Sequence, residues 1–145
     1  MKRRVAVLAA AITLAVAGLS ACGPAVSDHD NRIFALAASV KLSAADLSST
    51  YGADSAMADG RYRGRVLEIS GEVTRVQPAA PPATAVVTLK GGDASPLVEA
   101  SLHEDAGAEM LKTIAEGQRI TLKCFCEGLD QRVRLKSCVP PDPGR

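Results

Sequence analysis

Apolar and polar positions change their period several times along this chain. Residues 5–18, VAVLAAAITLAVAG, are continuously apolar apart from Thr13 and glycine, and they follow a basic head of Lys2, Arg3 and Arg4. Further on, Val40, Ala44, Leu47, Tyr51 and Ala58 recur at spacings of three, four and seven. That spacing predicts a helix with one buried stripe. Ser43, three residues before Asp46, resembles a capping box with Asp in place of Glu. Gly52 weakens the middle of the helix by about 1 kcal/mol relative to Ala, and Gly60 is the expected stop.

From Tyr62 the period becomes two. YRGRVLEISGEVTRV sets Leu67, Ile69 and Val73 on one face and Glu68, Ser70, Glu72 and Thr74 on the other. Gly71 falls on the inner face, where a glycine marks a bulge, a bend or a close approach. Such a bend lets one long strand serve two sides of a small barrel. Residues 77–83, QPAAPPA, are expected to be loop, because proline cannot donate to a ladder. Residues 84–90 predict a second strand, 91–93 (GGD) a tight connection with tolerance for positive φ, and 97–102 a third strand. Residues 104–116 read as a short helix with Met110, Leu111 and Ile114 inward and Gly117 as its stop. Strands over 119–126 and 132–139, joined by a turn at 127–131, complete the pattern before a Pro-rich tail at 140–145.

The order is a helix, three strands, a helix and two strands. This predicts a mainly β (α+β) domain over residues 40–139, a five-stranded OB-fold Greek-key barrel with a leading helix and a short helix between strands three and four. Composition agrees. Aromatics make up only 3% of the chain and Trp is absent, so Val, Leu, Ile and Ala must fill the interior. A narrow closed barrel can be filled that way and leaves few free edges.

The N-terminal run then acquires a meaning. A basic head, a short apolar stretch and small residues after it form a signal-peptide pattern over 1–21. The stretch is short of the about 20 apolar residues a spanning helix needs. Leu19-Ser20-Ala21-Cys22 resembles the lipobox of bacterial lipoproteins, which implies that Cys22 is acylated and becomes the mature N-terminus. Gly23 in place of Asp implies outer-membrane sorting if the host is Gram-negative. The expected location is the cell envelope, facing the periplasm. Residues 22–39 then read as a lipid-anchored tether, with His29 between Asp28 and Asp30 in solvated linker. The chain has 17 basic and 16 acidic residues. Losing Lys2, Arg3 and Arg4 with the leader leaves 14 against 16, a net charge of −2, so a basic footprint for nucleic acid is absent.

The segments AADLSSTYGADSAMADGRYRGRVLEISGEV, LKTIAEGQRITLKC and VRLKSC together resemble the tRNA_anti-like family of OB-fold lipoproteins. Leu47, Tyr51, Tyr62, Gly64, Gly71, Gly117-Gln118, Cys126 and Cys138 carry the likeness, over about two thirds of the chain. Asp54 stands where the pattern usually has Asn. Ala100 stands where strand three often has Cys, and Cys124 is extra. The resemblance implies a disulfide between Cys126 and Cys138, and the oxidising envelope permits one. Simple hairpin geometry with a turn at 128–131 instead sets Cys138 opposite residues near Thr121.

Few residues suggest chemistry. Cys124, Cys126 and Cys138, with His103, offer an alternative soft site for copper(I) or zinc, although paired strand cysteines more often pack as small core residues. Arg61, Arg63 and Arg65, and Arg132, Arg134 and Lys136, alternate as the solvent faces of two strands would. His29 and His103 lack a nucleophile beside them, and Glu68 and Glu72 read as solvated surface, so neither an enzyme nor a cofactor is expected. The usual OB binding face, strands two and three, offers Thr88, Lys90, Glu99 and Ser101 without an aromatic ring on which bases would stack. The sequence therefore points to a membrane-anchored, non-catalytic module for an envelope protein, peptide or small ligand, with nucleic acid disfavoured.

Overall fold

The computed structural model describes residues 29–79 and 84–142. The leader, Cys22, the first part of the tether, residues 80–83 of the Pro-rich loop and the last three residues of the tail lie outside the described residues. The elements are α1 (Arg32–Ala35), β1 (Val40–Ser43), α2 (Ala44–Ala53), α3 (Ser55–Tyr62), β2 (Val66–Gln77), β3 (Val86–Leu89), β4 (Val98–Leu102), α4 (Glu104–Leu111), β5 (Arg119–Asp130) and β6 (Arg132–Val139).

The strands lie in the order β1-β2-β3-β4-β6-β5, and a further pairing of β2 with β5 closes the ring. Strands β2 to β6 form the barrel, antiparallel except for the parallel β4–β6 pair. This is the expected OB arrangement. Val, Leu, Ile and Ala fill the interior, with all three of Cys124, Cys126 and Cys138 among them.

β2 serves two sides, as its glycine implies. Val66–Glu72 pair with β5, while Val73–Gln77 pair with β3 across a register shift between Val73 and Arg75. Leu67, Ile69 and Val73 are buried. A Cβ on Gly71 would stand 2.9 Å from the Ala44 Cβ and 3.4 Å from the Leu89 Cβ, so the bend is closed by α2 and β3 together. Gly71→Ala is expected to cost about 1–3 kcal/mol through overpacking, read as a lower urea midpoint at unchanged slope.

The helical stripe expected from Val40 divides into three elements. Val40–Ser43 is a strand, parallel to Leu67–Ser70 of β2. Ser43 is the cap of α2, its Oγ accepting from the Asp46 N–H at 3.0 Å, so the capping signal marks the true helix start. Asp54 breaks the helix after Ala53 and starts α3, accepting from the Met57 N–H at 3.0 Å. α3 passes Gly60 and ends at Tyr62, so Arg61, Arg63 and Arg65 lie on a helix end and turn and not on a strand.

The packed part of the chain also begins earlier than the sequence suggests. Residues 30–39 form a strap on the outside of the barrel. Ile33 is buried in a second small cluster with Val66, Phe125 and Val139. Asp30 donates its N–H to Ser137 Oγ at 2.8 Å, and Ser39 donates to the Val66 carbonyl at 2.8 Å. Lys123, buried on the same face, donates to the Leu36 carbonyl at 3.0 Å and to Asp142 of the tail at 2.6 Å. The packed domain therefore begins near Asp30 and not at residue 40.

Two connections differ in detail. In the segment between β3 and β4 the positive φ belongs to Ala94, at 56°. Gly91 and Gly92 are needed for close approach, because Cβ atoms there would meet Ser48 and Ser49 of α2. The last hairpin turns at Gln131, with Asp130 paired to Arg132, so β5 runs four residues past its expected end.

Candidate functional site

The four residues expected to form a binding face do not form an open one. Thr88 and Glu99 are direct partners across β3 and β4, and Ser101 lies opposite Val86. Thr88 is only 3% exposed and Ser101 8%. Glu99 accepts from Arg132 Nη1 at 2.7 Å. Lys90 is exposed, but it lies past the end of β3, its N–H donated to the Glu72 carbonyl at 2.9 Å. Alternation along a strand tells inward from outward; it does not tell whether the outward side is covered.

Lys90 instead belongs to a cleft of about 260 Å³ lined by Ser43, Ala45, Ser70, Gly71, Glu72, Lys90, Gly91 and Arg119. The end of β1, the first turn of α2, the bend of β2 and the start of β5 meet there. Lys90, Arg119 and Glu72 are exposed and make no ion pair among the described residues. The cleft thus presents two cations and one carboxylate around a floor of small residues, an arrangement suited to a small polar or anionic group. Sequence reasoning marked Gly71 and Lys90 separately. It missed Arg119 and the meeting of the three, because their closeness depends on the β2–β5 register, which pairs Glu72 with Arg119.

Several other surface charges are engaged. Arg134 lies 3.8 Å from Glu127 and 3.6 Å from Asp130, Lys136 lies 3.1 Å from Glu127, and Arg63 pairs with Asp59 at 3.4 Å. Arg132, Arg134 and Lys136 are therefore neutralised by neighbouring carboxylates, whereas of Arg61, Arg63 and Arg65 only Arg63 has an ion pair among the described residues.

The cysteines pair differently from the expectation. The disulfide joins Cys124 to Cys138, with Cα atoms 4.3 Å apart, and Cys126 is a buried free thiol. This corrects the Cys126–Cys138 pairing. With the turn at Gln131, the hairpin carries Cys138 across from Cys124. A bulge in β5 between Cys126 and Gly128 is cancelled by one in β6 near Ser137, which has φ 52°. Two of the three sulfurs are thereby withdrawn from a soft metal site. Among the described residues no three His, Cys, Asp or Glu side chains converge as a metal-binding group.

Cys126 Sγ lies 3.5 Å from the Tyr51 hydroxyl, which donates to Asp59 Oδ1 at 3.0 Å. Burial pushes the Cys126 thiol up. Burial, followed by the contact with Cys126 and then Asp59, pushes the Tyr51 phenol well above its ordinary value. Both groups hold their protons more tightly when folded, so stability is full below the unfolded-state values and falls as pH rises past about 8.5, where a free thiol ionises. The expected result is a denaturation midpoint that declines above about pH 9, with a smaller decline in Cys126→Ala. A titration with a thiol reagent should find Cys126 silent in the native protein and reactive once urea unfolds it.

His103 lies just past the end of β4, and His29 leaves its expected setting in solvated linker. His103 is fully buried at the start of α4, its Nδ1 accepting from the Asp105 N–H at 3.2 Å. Its ring meets those of Phe34 and His29 edge to face, at 4.9 and 5.7 Å. His29 Nδ1 accepts from the Glu104 N–H at 3.4 Å. His29 is thus packed against the barrel.

A closed five-stranded mixed barrel with an added parallel strand, short helices and a surface cleft defines a small OB-fold protein. The tRNA_anti-like family model matches residues 1–139, and the chain belongs to that family. Among solved structures it is similar to a "putative nucleic acid-binding lipoprotein" from Klebsiella pneumoniae subsp. pneumoniae MGH 78578. The TM-score is 0.56 at 12% identity, covering 68% of this chain and 87% of that one. It is also similar, at a TM-score of 0.44 and 14% identity, to part of a "putative aspartyl-tRNA synthetase" from Leishmania major Friedlin, covering 68% of this chain and 20% of that one. No curated protein matches the chain.

Proposed function

We propose that the chain is exported, acylated at Cys22 and held at the cell envelope, where the barrel serves as a non-catalytic binding module for a protein, peptide or small envelope ligand. The cleft around Gly71 carries this reading. The barrel interior is filled by side chains, so a ligand must bind outside it, and Lys90, Arg119 and Glu72 remain there without ion-pair partners among the described residues. Acylation at Cys22 would serve that role physically, since attachment to a bilayer raises the local concentration of module and ligand. If the host is Gram-negative, Gly23 favours the outer membrane.

The name of the Klebsiella protein raises a second reading, nucleic acid. At 12% identity the likeness concerns the fold. Neither β3 nor β4 contains an aromatic residue, and stacking on aromatic rings supplies much of single-strand affinity. The test is to pass envelope extract and, separately, oligonucleotides at physiological salt over the immobilised barrel and over its Lys90→Glu/Arg119→Glu variant. The expected result is an envelope component retained by the native protein and lost by the variant. Identical retention by both contradicts the cleft, and salt-resistant oligonucleotide binding favours the second reading.

A further inference from the structure

We propose that the strap of residues 30–39 is the membrane-facing side of the barrel, with Phe34 and Leu36 seated in the headgroup region of the bilayer that holds Cys22. The inference rests on acylation of Cys22. Its first support is the length of chain between the anchor and the packed domain. Cys22 to Asp30 is eight residue steps, which span at most about 29 Å fully extended and about 15 Å as a relaxed coil. A domain of this size has a radius of gyration of about 13 Å, which for a compact sphere means a diameter of about 34 Å, so even an extended tether is shorter than the domain is wide. The strap cannot lengthen the tether by peeling away cheaply. Its own Ile33 is buried against Val66, Phe125 and Val139, and the Asp30–Ser137, Leu36–Lys123 and Ser39–Val66 hydrogen bonds fix it along its length.

The second support is the surface the strap presents. Phe34, Ala35, Leu36 and Ala37 form an unbroken exposed apolar run. Phe34 is 50% exposed and Leu36 43%. From Arg32 to Ser39 the strap has no acidic residue, and its one charge, Arg32, is paired with Asp30. A short apolar face of this kind gains by entering the headgroup boundary, to a depth of about 5–10 Å. An anchor that already holds the strap close removes most of the entropic cost of that contact.

The orientation has a consequence for the cleft. Ser39 bonds to Val66 at the strap end of β2, whereas Ser43 and Ser70 lie beside each other at the cleft end. From Val66 to Gly71 is five steps along the strand, roughly 16 Å. With the strap on the membrane, Lys90 and Arg119 are held away from the lipid, where a water-borne ligand reaches them.

The chain contains no Trp, so single substitutions report position without background. Full-length Phe34→Trp, Leu36→Trp and Leu97→Trp precursors are processed in a lipidating bacterial host. They are then reconstituted in vesicles with and without brominated acyl chains, and Cys22 is checked by mass. Leu97 is the control, 41% exposed and bonded to Val133 at the other end of β6 from the strap. The expected result is blue-shifted emission at positions 34 and 36 that brominated lipid largely extinguishes, with emission at 97 unchanged. Acylated protein whose strap tryptophans emit as in water, or whose position 97 is quenched equally, overturns the orientation alone. Unmodified Cys22 overturns the orientation and the anchoring together.

Discussion

Replacing Cys124 and Cys138 together by alanine lowers the stability of the barrel by about 3 kcal/mol, the loop-closure value for a bridge over a segment this short. The two cysteines are 14 residues apart in sequence. For a domain of this size the loss corresponds to a fall in melting temperature of roughly 10–20 °C. Cys126→Ala removes only a buried thiol and its contact with Tyr51, for about 1 kcal/mol. The ordering of the two variants is the informative part. If Cys126 and Cys138 formed the bond, both variants would break it, and Cys126→Ala would be as damaging as the double replacement. Peptide mapping without reduction gives the same answer directly, through a cross-linked fragment containing residues 124 and 138.

Leu122→Ala is expected to cost about 2–5 kcal/mol. Leu122 is fully buried and stands opposite Ile69 in the β2–β5 ladder, the pairing that turns an open sheet into a ring. The lost methyl groups leave a void that neighbouring strands cannot fill without breaking the seam. Leu129→Ala, at a position 39% exposed near the hairpin tip, should change stability by no more than about 0.5 kcal/mol. Equal effects at the two positions would mean that β2 and β5 are not joined as described.

The strands were legible because their inward residues alternate cleanly, and Gly71 announced the bend because nothing larger fits between Ala44 and Leu89. The capping pair Ser43 and Asp46 located the start of α2 even though the helical stripe was read too long. Val40 fits a helical spacing by chance, and only the neighbouring edge of β2 makes it a strand. The disulfide was misplaced because hairpin register depends on the turn. Moving the turn from the Gly128 region to Gln131 brings Cys138 opposite Cys124. The strap was hidden because Ile33 has no periodic neighbours. It is buried by Val66, Phe125 and Val139, residues far away in sequence. The binding face failed for a related reason. Thr88 and Ser101 have polar side chains at outward positions, yet both are covered, and coverage is a property of the whole fold.

The proposed function joins a leader, an acylated cysteine and a barrel that binds at its surface. The most direct test is the mass of the mature N-terminal peptide from protein expressed with its own leader in a bacterium that processes lipoproteins. The account predicts a chain beginning at Cys22 and carrying acyl groups on that residue. A peptide that retains Met1, or one that begins elsewhere with an unmodified thiol at Cys22, contradicts it.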